Sequence, residues 1–170
     1  MDITCVTGVT SVEKPSWLPL EIKCPEPNSM LKELKTISKD KIDVWIHSAA
    51  VLDYVIPDPV EGKIASLQGA LDIQLAEGAK HIQELKQKCA GSTRIGFKLE
   101  SGIKQKDLVH RAHAQIQKSG MTATIANRIE DYGKDGKPRG WLVDRHGAHF
   151  VLETESDMCD AIRSVIENNR

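Results

Sequence analysis

The sequence predicts an α/β fold: a mostly parallel sheet with helices on both faces, closed by an antiparallel C-terminal hairpin. Three observations predict it. Short apolar runs rich in β-branched residues alternate with stretches whose apolar residues recur every three or four positions, as strands joined by crossover helices do. Near the C-terminus that order changes. There Trp141-Leu142-Val143 and His149-Phe150-Val151-Leu152 are separated only by the turn-forming stretch Asp144 to Gly147, which reads as a hairpin. Finally, 170 residues suffice for one hydrophobic core, so residues 1–170 are expected to form a single domain. The arrangement expected is Rossmann-like.

In chain order, Ile3-Thr4-Cys5-Val6-Thr7 is a β-rich run ending at Gly8. Pro15 and Pro19 exclude a helix interior from the next segment, and Leu20 to Cys24 alternates as a short edge strand. Asn28 or Ser29 can cap a helix that carries Met30, Leu31, Leu34 and Ile37 on one face and stops before Lys39-Asp40-Lys41. Ile42 to Ile46 follows as a strand. From Tyr54 to Gly69 the chain is loop-like, punctuated by Pro57, Pro59 and Gly62. Leu71 to Leu75 restores strand alternation, and a helix is expected from Gly78 to Lys88 with Ile82 and Leu85 inward. Thr93 to Leu99 is a strand. Asp107 to Lys118 is a helix with Leu108, Ala112 and Ile116 inward, ended by Gly120. Thr122 to Asn127 is a buried strand, Asp131 to Arg139 a polar Gly-rich loop, and Met158, Ala161, Ile162, Val165 and Ile166 mark a closing amphipathic helix.

Composition excludes several classes of function. A formal net charge of -1 lacks the basic stripe that nucleic acid requires, so no nucleic-acid partner is expected. No run approaches the roughly 18 apolar residues of a membrane span, and the N-terminus lacks the pattern of a signal peptide, so a cytoplasmic protein is expected. Cys5, Cys24, Cys89 and Cys159 include no closely spaced pair and read as free thiols rather than a zinc site or disulfide framework. His110 and His113, and likewise His146 and His149, have no third ligand nearby and read as solvated faces.

The stretch His47-Ser48-Ala49-Ala50-Val51-Leu52-Asp53-Tyr54 changes at once from bulky to small residues after the Ile42–Ile46 strand. An apolar strand running into small residues, an acid and an aromatic points to backbone exposed at the carboxyl end of a strand, where open α/β sheets take ligands. A buried strand followed by a tight loop would give the same pattern. No Gly-rich turn into a helix follows the first strand, which counts against a dinucleotide-binding oxidoreductase.

Five stretches in order resemble the phosphopantothenate–cysteine ligase family of coenzyme A biosynthesis. They are Val6-Thr7-Gly8-Val9-Thr10-Ser11 followed by Pro15, Ala49-Ala50-Val51-Leu52-Asp53-Tyr54, Gly62-Lys63-Ile64-Ala65-Ser66, Ile95-Gly96-Phe97-Lys98-Leu99-Glu100-Ser101, and Thr124-Ile125-Ala126-Asn127. The resemblance implies a ligase that activates the carboxylate of 4′-phosphopantothenate with CTP or ATP. An acyl-nucleotide forms, pyrophosphate leaves, and the amine of cysteine attacks. Mg2+ would be held mainly by phosphates rather than by side chains. By the same resemblance, His47, Ser48 and Ala49 lie along the nucleotide and Asp53 accepts hydrogen bonds from it. Lys63 is the catalytic cation on the phosphates or on the developing charge. Ala79, Lys80, His81 and Ile82 offer the N–H groups of a helix N-terminus. Phe97 packs against the base, Lys118 approaches the phosphates, and Asn127 contacts substrate.

Each role has a plainer counterpart: a loop cap for Asp53, a solvated lysine for Lys63, a core aromatic for Phe97 and a helix C-terminal cation for Lys118. The chain also departs from the family pattern. Ile64-Ala65-Ser66 replaces a basic run, Gly78-Ala79-Lys80-His81 lacks a proline and an acid, and Arg128 stands where many bacterial members have aspartate. The family's N-terminal Gly-rich strand, turn and helix have no counterpart here. A homodimer, or a second chain supplying that segment, is therefore expected, with a catalytically impaired nucleotide-binding module of the same fold as the alternative.

Overall fold

A computed structural model describes residues 2–66 and 69–169. The chain forms nine strands and four α-helices among those residues, and divides into two compact units, Met1–Leu34 with Ala49–His81 and Lys35–Ser48 with Ile82–Arg170.

The second unit carries the main sheet, five strands in the order β3-β6-β7-β8-β9. β3 (Val44–His47), β6 (Thr93–Glu100) and β7 (Ala123–Arg128) are parallel neighbours, while β8 (Gly140–Asp144) and β9 (His149–Leu152) add antiparallel to β7. The sheet is therefore mixed, half parallel and half antiparallel, and the expected C-terminal hairpin is its last two strands. Side chains alternate across β7 and β8, so the sheet has two apolar faces. On one, Ala126, Trp141 and Val143 meet Leu108, Ala112 and Ile116 of α3 (Gln105–Ser119). On the other, Ile95, Ile125 and Leu152 meet Met158, Ala161, Ile162, Val165 and Ile166 of α4 (Glu155–Glu167). Both helices lie on the faces their spacing predicts. α3 stops at Gly120, whose left-handed backbone (φ 65°) lets its N–H return to the Ile116 carbonyl. α4 starts with a capping box: the Thr154 hydroxyl accepts from the Asp157 N–H and the Asp157 carboxylate accepts from the Thr154 N–H.

The first unit holds β1 (Thr4–Thr7) and β2 (Leu20–Lys23), a parallel pair, and an antiparallel ribbon of β4 (Tyr54–Val55) and β5 (Ala76–Glu77). β1 and β2 thus form a two-stranded sheet of their own and do not join the main one. α1 (Pro27–Ile37) buries Met30 and Leu31. It begins ahead of Asn28, with proline in a first-turn position where its missing N–H costs nothing, and Ser29 donates to the Glu26 carbonyl instead of capping.

Further expectations are corrected. Leu71 to Leu75 is not a strand: Leu71, Ile73 and Leu75 are all more than half exposed, and alternation specifies a strand only where one face is buried. The pairing residues are instead Ala76 and Glu77, opposite Val55 and Tyr54. The stretch Tyr54 to Gly69 accordingly opens with a strand; its residues 67 and 68 lie outside the described residues. The Gly78–Lys88 helix shrinks to one turn, α2 (His81–Glu84), after which Lys86 N–H bonds to Gln83 O and Ala90 N–H to Gln87 O, the i−3 pattern of tight turns. Leu85 and Cys89 are buried all the same. Asp131 belongs to a 3-10 turn, Ile129–Asp131, and is buried, so the polar loop begins after it. All four cysteines are free. Among the described residues no helix is long and apolar enough to cross a membrane.

Candidate functional site

In the first unit, the residues after Ala49 turn into the β4–β5 ribbon. Gly78 closes that ribbon: its N–H donates to the Asp53 carbonyl at 2.8 Å. A methyl on Gly78 would sit 2.9 Å from the Leu52 carbonyl oxygen, closer than real carbons approach, so only glycine fits. Beyond it, the Lys80 ammonium is ion-paired with the Asp53 carboxylate, and both side chains are more than half exposed. Two residues that the resemblance assigns to the nucleotide are therefore brought together. Ala49, Lys63 and Ala79 are exposed, and His81 is buried at the start of α2. The helix N-terminus expected from Gly78 onward is thus displaced to His81 and is only one turn long.

In the second unit, His47 and two motif residues stand at or near the carboxyl ends of three neighbouring parallel strands. His47 ends β3, Glu100 ends β6, and Asn127 precedes the last residue of β7. The His47 ring lies nearly parallel to Trp45, with centroids 5.9 Å apart. Ser48, which follows, is exposed. Near the start of β6, opposite Trp45, is Arg94, which is 1% exposed. Its guanidinium donates to the Ser119 carbonyl at 2.6 Å and the Ile82 carbonyl at 2.8 Å, and reaches His47 Nε2 at 3.3 Å. Burial pushes the Arg94 pKa below its usual value, an effect the nearby Cys89 opposes. Burial likewise raises the Cys89 thiol, which makes it a poor nucleophile.

Glu100 is held by Lys98 and Arg111, each at 2.9 Å. Its partial burial would raise the carboxyl, but these two cations outweigh that and hold it below its ordinary range. Phe97 is half-buried in the cluster under α4. That is its plainer reading. Lys118 is exposed in the last turn of α3, and its carbonyl accepts from Lys86 Nζ at 3.0 Å. Arg128, the departure from the bacterial pattern, serves the packing of its own surroundings. It pairs with buried Asp131 at 2.6 Å, donates to the Ile103 carbonyl and lies over Trp141.

Sequence reasoning missed Arg94, Gly78 and the Lys98–Glu100–Arg111 cluster. Glu100 was in plain view within a motif, and its two partners are a strand neighbour and a helix residue. Arg94 gave no signal, since arginines are seldom buried and a strand start usually exposes them. Among the described residues no group of three or more His, Cys, Asp or Glu could hold a metal.

Residues 1–168 match the family described as the DNA/pantothenate metabolism flavoprotein C-terminal domain. The chain is 29% identical over 135 residues to the coenzyme A biosynthesis bifunctional protein CoaBC of Thermococcus kodakarensis, covering 79% of this chain and 33% of that protein. It thus spans about a third of that relative's length. The fold resembles that of the DNA/pantothenate metabolism flavoprotein from Streptococcus pneumoniae, with a TM-score of 0.84 at 21% identity over 99% of this chain and 82% of that one. It also resembles a Cab2 histidine mutant in complex with phosphopantothenate-cysteine, with a TM-score of 0.65 at 18% identity over 88% of this chain and 52% of that one.

Proposed function

The chain belongs to the DNA/pantothenate metabolism flavoprotein C-terminal domain family, and from that premise we propose that it is the phosphopantothenate–cysteine ligase part of a coenzyme A biosynthesis enzyme. The observation that carries this reading is that His47 and the motif residues Glu100 and Asn127 stand at or near the carboxyl ends of three neighbouring parallel strands, with β3 ending level with Gly96 of β6. Open α/β sheets bind ligands there because strand-end backbone groups are unpaired and side chains from several strands converge. The parallel half of the sheet is read as Rossmann-like in this sense, within one ligase-like domain over residues 1–170.

In the proposed reaction, the carboxylate of 4′-phosphopantothenate attacks the α-phosphorus of CTP or ATP. The α–β phosphoanhydride bond breaks, pyrophosphate departs, and an acyl-nucleotide remains. The cysteine amine then displaces the nucleotide monophosphate, giving up a proton as the amide forms. The protein's part is to position reactants and offset negative charge. His47, Ser48 and Ala49 offer strand-end backbone to the nucleotide. In the first unit, taken by itself, the resemblance assigns Asp53, paired with Lys80, to hydrogen bonds with a nucleotide and Lys63 to its phosphates. Phe97, Lys118 and Asn127 remain candidate contacts to base, phosphate and substrate. Mg2+ supplies charge neutralisation on the triphosphate. The ion would be carried mainly by phosphates and water. We assign the work to the cytoplasm, in a homodimer or with a second chain.

A specific observation favours a second reading. Asp53 already has a cation in Lys80, and Ile64-Ala65-Ser66 stands in place of a basic run. A nucleotide-binding module with weakened catalysis would have these features. Thermal shift with CTP or ATP plus Mg2+, followed by pyrophosphate release with phosphopantothenate and cysteine, separates the two. No shift with either nucleotide refutes both readings for this chain. A shift without pyrophosphate, alone and in the assembled complex, leaves the module.

A further inference from the structure

Arg94 joins three places that the nucleotide reading names separately. One guanidinium, inaccessible to water, holds the ring of His47, the carbonyl of Ile82 and the carbonyl of Ser119, the residue after Lys118. It also bears on the chemistry of the histidine. Arginine has donors and no acceptor, so Nε2 of His47 must offer its lone pair to the guanidinium. A neutral imidazole whose Nε2 accepts carries its proton on Nδ1. This is the tautomer that free histidine in water disfavours, so the contact selects it. The near-parallel stack on Trp45, at an interplanar angle of 8°, fixes the ring plane as well.

We propose that Arg94 is a positioning residue for nucleotide binding, holding His47 as the neutral Nδ1–H tautomer and tying the end of β3 to Ile82 and Ser119. The inference rests on the nucleotide reading of this strand end. In this state both ring nitrogens are committed: Nε2 by its lone pair to Arg94, Nδ1 by its proton. His47 acts as a fixed hydrogen-bond donor and not as the base that takes the proton from the cysteine amine.

The test is nitrogen–proton correlation NMR on full-length protein labelled with 15N-histidine, with the His47 resonances assigned from their loss in His47→Gln. The expected wild-type spectrum at neutral pH has Nδ1 protonated and Nε2 bare. Arg94→Met should return the ring to Nε2–H, and Arg94→Lys, which restores a cationic donor, should recover the native pattern at least in part. A wild-type ring with Nε2–H or with both nitrogens protonated overturns the tautomer assignment. An unchanged tautomer in Arg94→Met overturns the role of Arg94. Should Arg94→Met not fold, the wild-type and Arg94→Lys spectra still decide. For the positioning role, the Kd of CTP or ATP with Mg2+ should rise about tenfold in Arg94→Met, the effect of losing one charge-assisted contact, with partial rescue by lysine. An unaltered Kd overturns it. Wild-type protein that binds neither nucleotide overturns the nucleotide reading and the positioning role with it, while the spectrum still decides the tautomer.

Discussion

Replacing Gly78 by alanine tests the local geometry of the first unit most directly. The added methyl would lie 2.9 Å from the Leu52 carbonyl oxygen and 3.5 Å from the Asp53 carbonyl oxygen. The near neighbour is backbone, which cannot swing aside as a side-chain tip would. Two costs combine: overpacking of about 1–3 kcal/mol, and weakening of the 2.8 Å bond from Gly78 N–H to Asp53 O, about 1 kcal/mol if lost. Relaxation that relieves the first cost spends the second, so about 1–3 kcal/mol is the expected total. Gly8→Ala is the control in the same unit, because its methyl would meet nothing closer than the flexible end of Met30 at 3.5 Å, with the Cys24 carbonyl oxygen at 3.9 Å. Native-state hydrogen exchange reads the ribbon itself. The Gly78→Ala variant should lose about 5- to 150-fold in protection at Val55 and Ala76, while Gly8→Ala leaves protection there unchanged. Equal protection in Gly78→Ala and wild type would refute the close approach of residue 78 to the Leu52–Asp53 backbone.

Three further outcomes follow from the same structure. Glu100 has a folded pKa below its ordinary 4.5, so its stabilising contribution is present above that value and is lost as pH falls through the folded pKa. The stability difference between wild type and Glu100→Gln, from urea titrations, should be constant above about pH 5 and shrink in more acid solution; a difference independent of pH would remove the Lys98–Glu100–Arg111 cluster from the account. Thr154→Ala removes the hydroxyl that accepts from the Asp157 N–H and should destabilise α4 by about 1 kcal/mol, read as a lower urea midpoint at unchanged slope. Lys63→Ala should abolish turnover in any active assembly while leaving the melting temperature within about 1 °C, since the residue is exposed; a normal rate would strike Lys63 from the site.

How much was legible in the sequence varied with how local the determining physics is. α3 and α4 were readable because the residues that bury them recur at helical spacing, and Gly120 ends α3 as its freedom at positive φ suggests. The capping box of α4 was readable too, as Thr154 three residues before Asp157, although the spacing of apolar residues alone did not bring it out. Strands β3, β6 and β7 were each bounded within a few residues, since β-branched runs between turns have few other uses. Leu71 to Leu75 shows the limit of that argument. Its alternation is as clean as that of any strand, yet Leu71, Ile73 and Leu75 are all exposed, and the pairing moved to Ala76 and Glu77.

By itself the sequence determined the class of fold, the two faces of the main sheet, the family and the stretch around His47 to Tyr54 as the one to watch. These are matters of pattern along the chain, set by side-chain periodicity and by residue order in motifs. The tertiary structure alone decided that β1 and β2 pair in a sheet of their own and that Asp53 pairs with Lys80, 27 residues away. It also decided that Arg94 is buried beneath His47, 47 residues before it. Burial and ion pairing depend on what the rest of the chain brings alongside a residue. A guanidinium that finds two carbonyls and an imidazole can remain in the interior, and the same residue without them would have to face water.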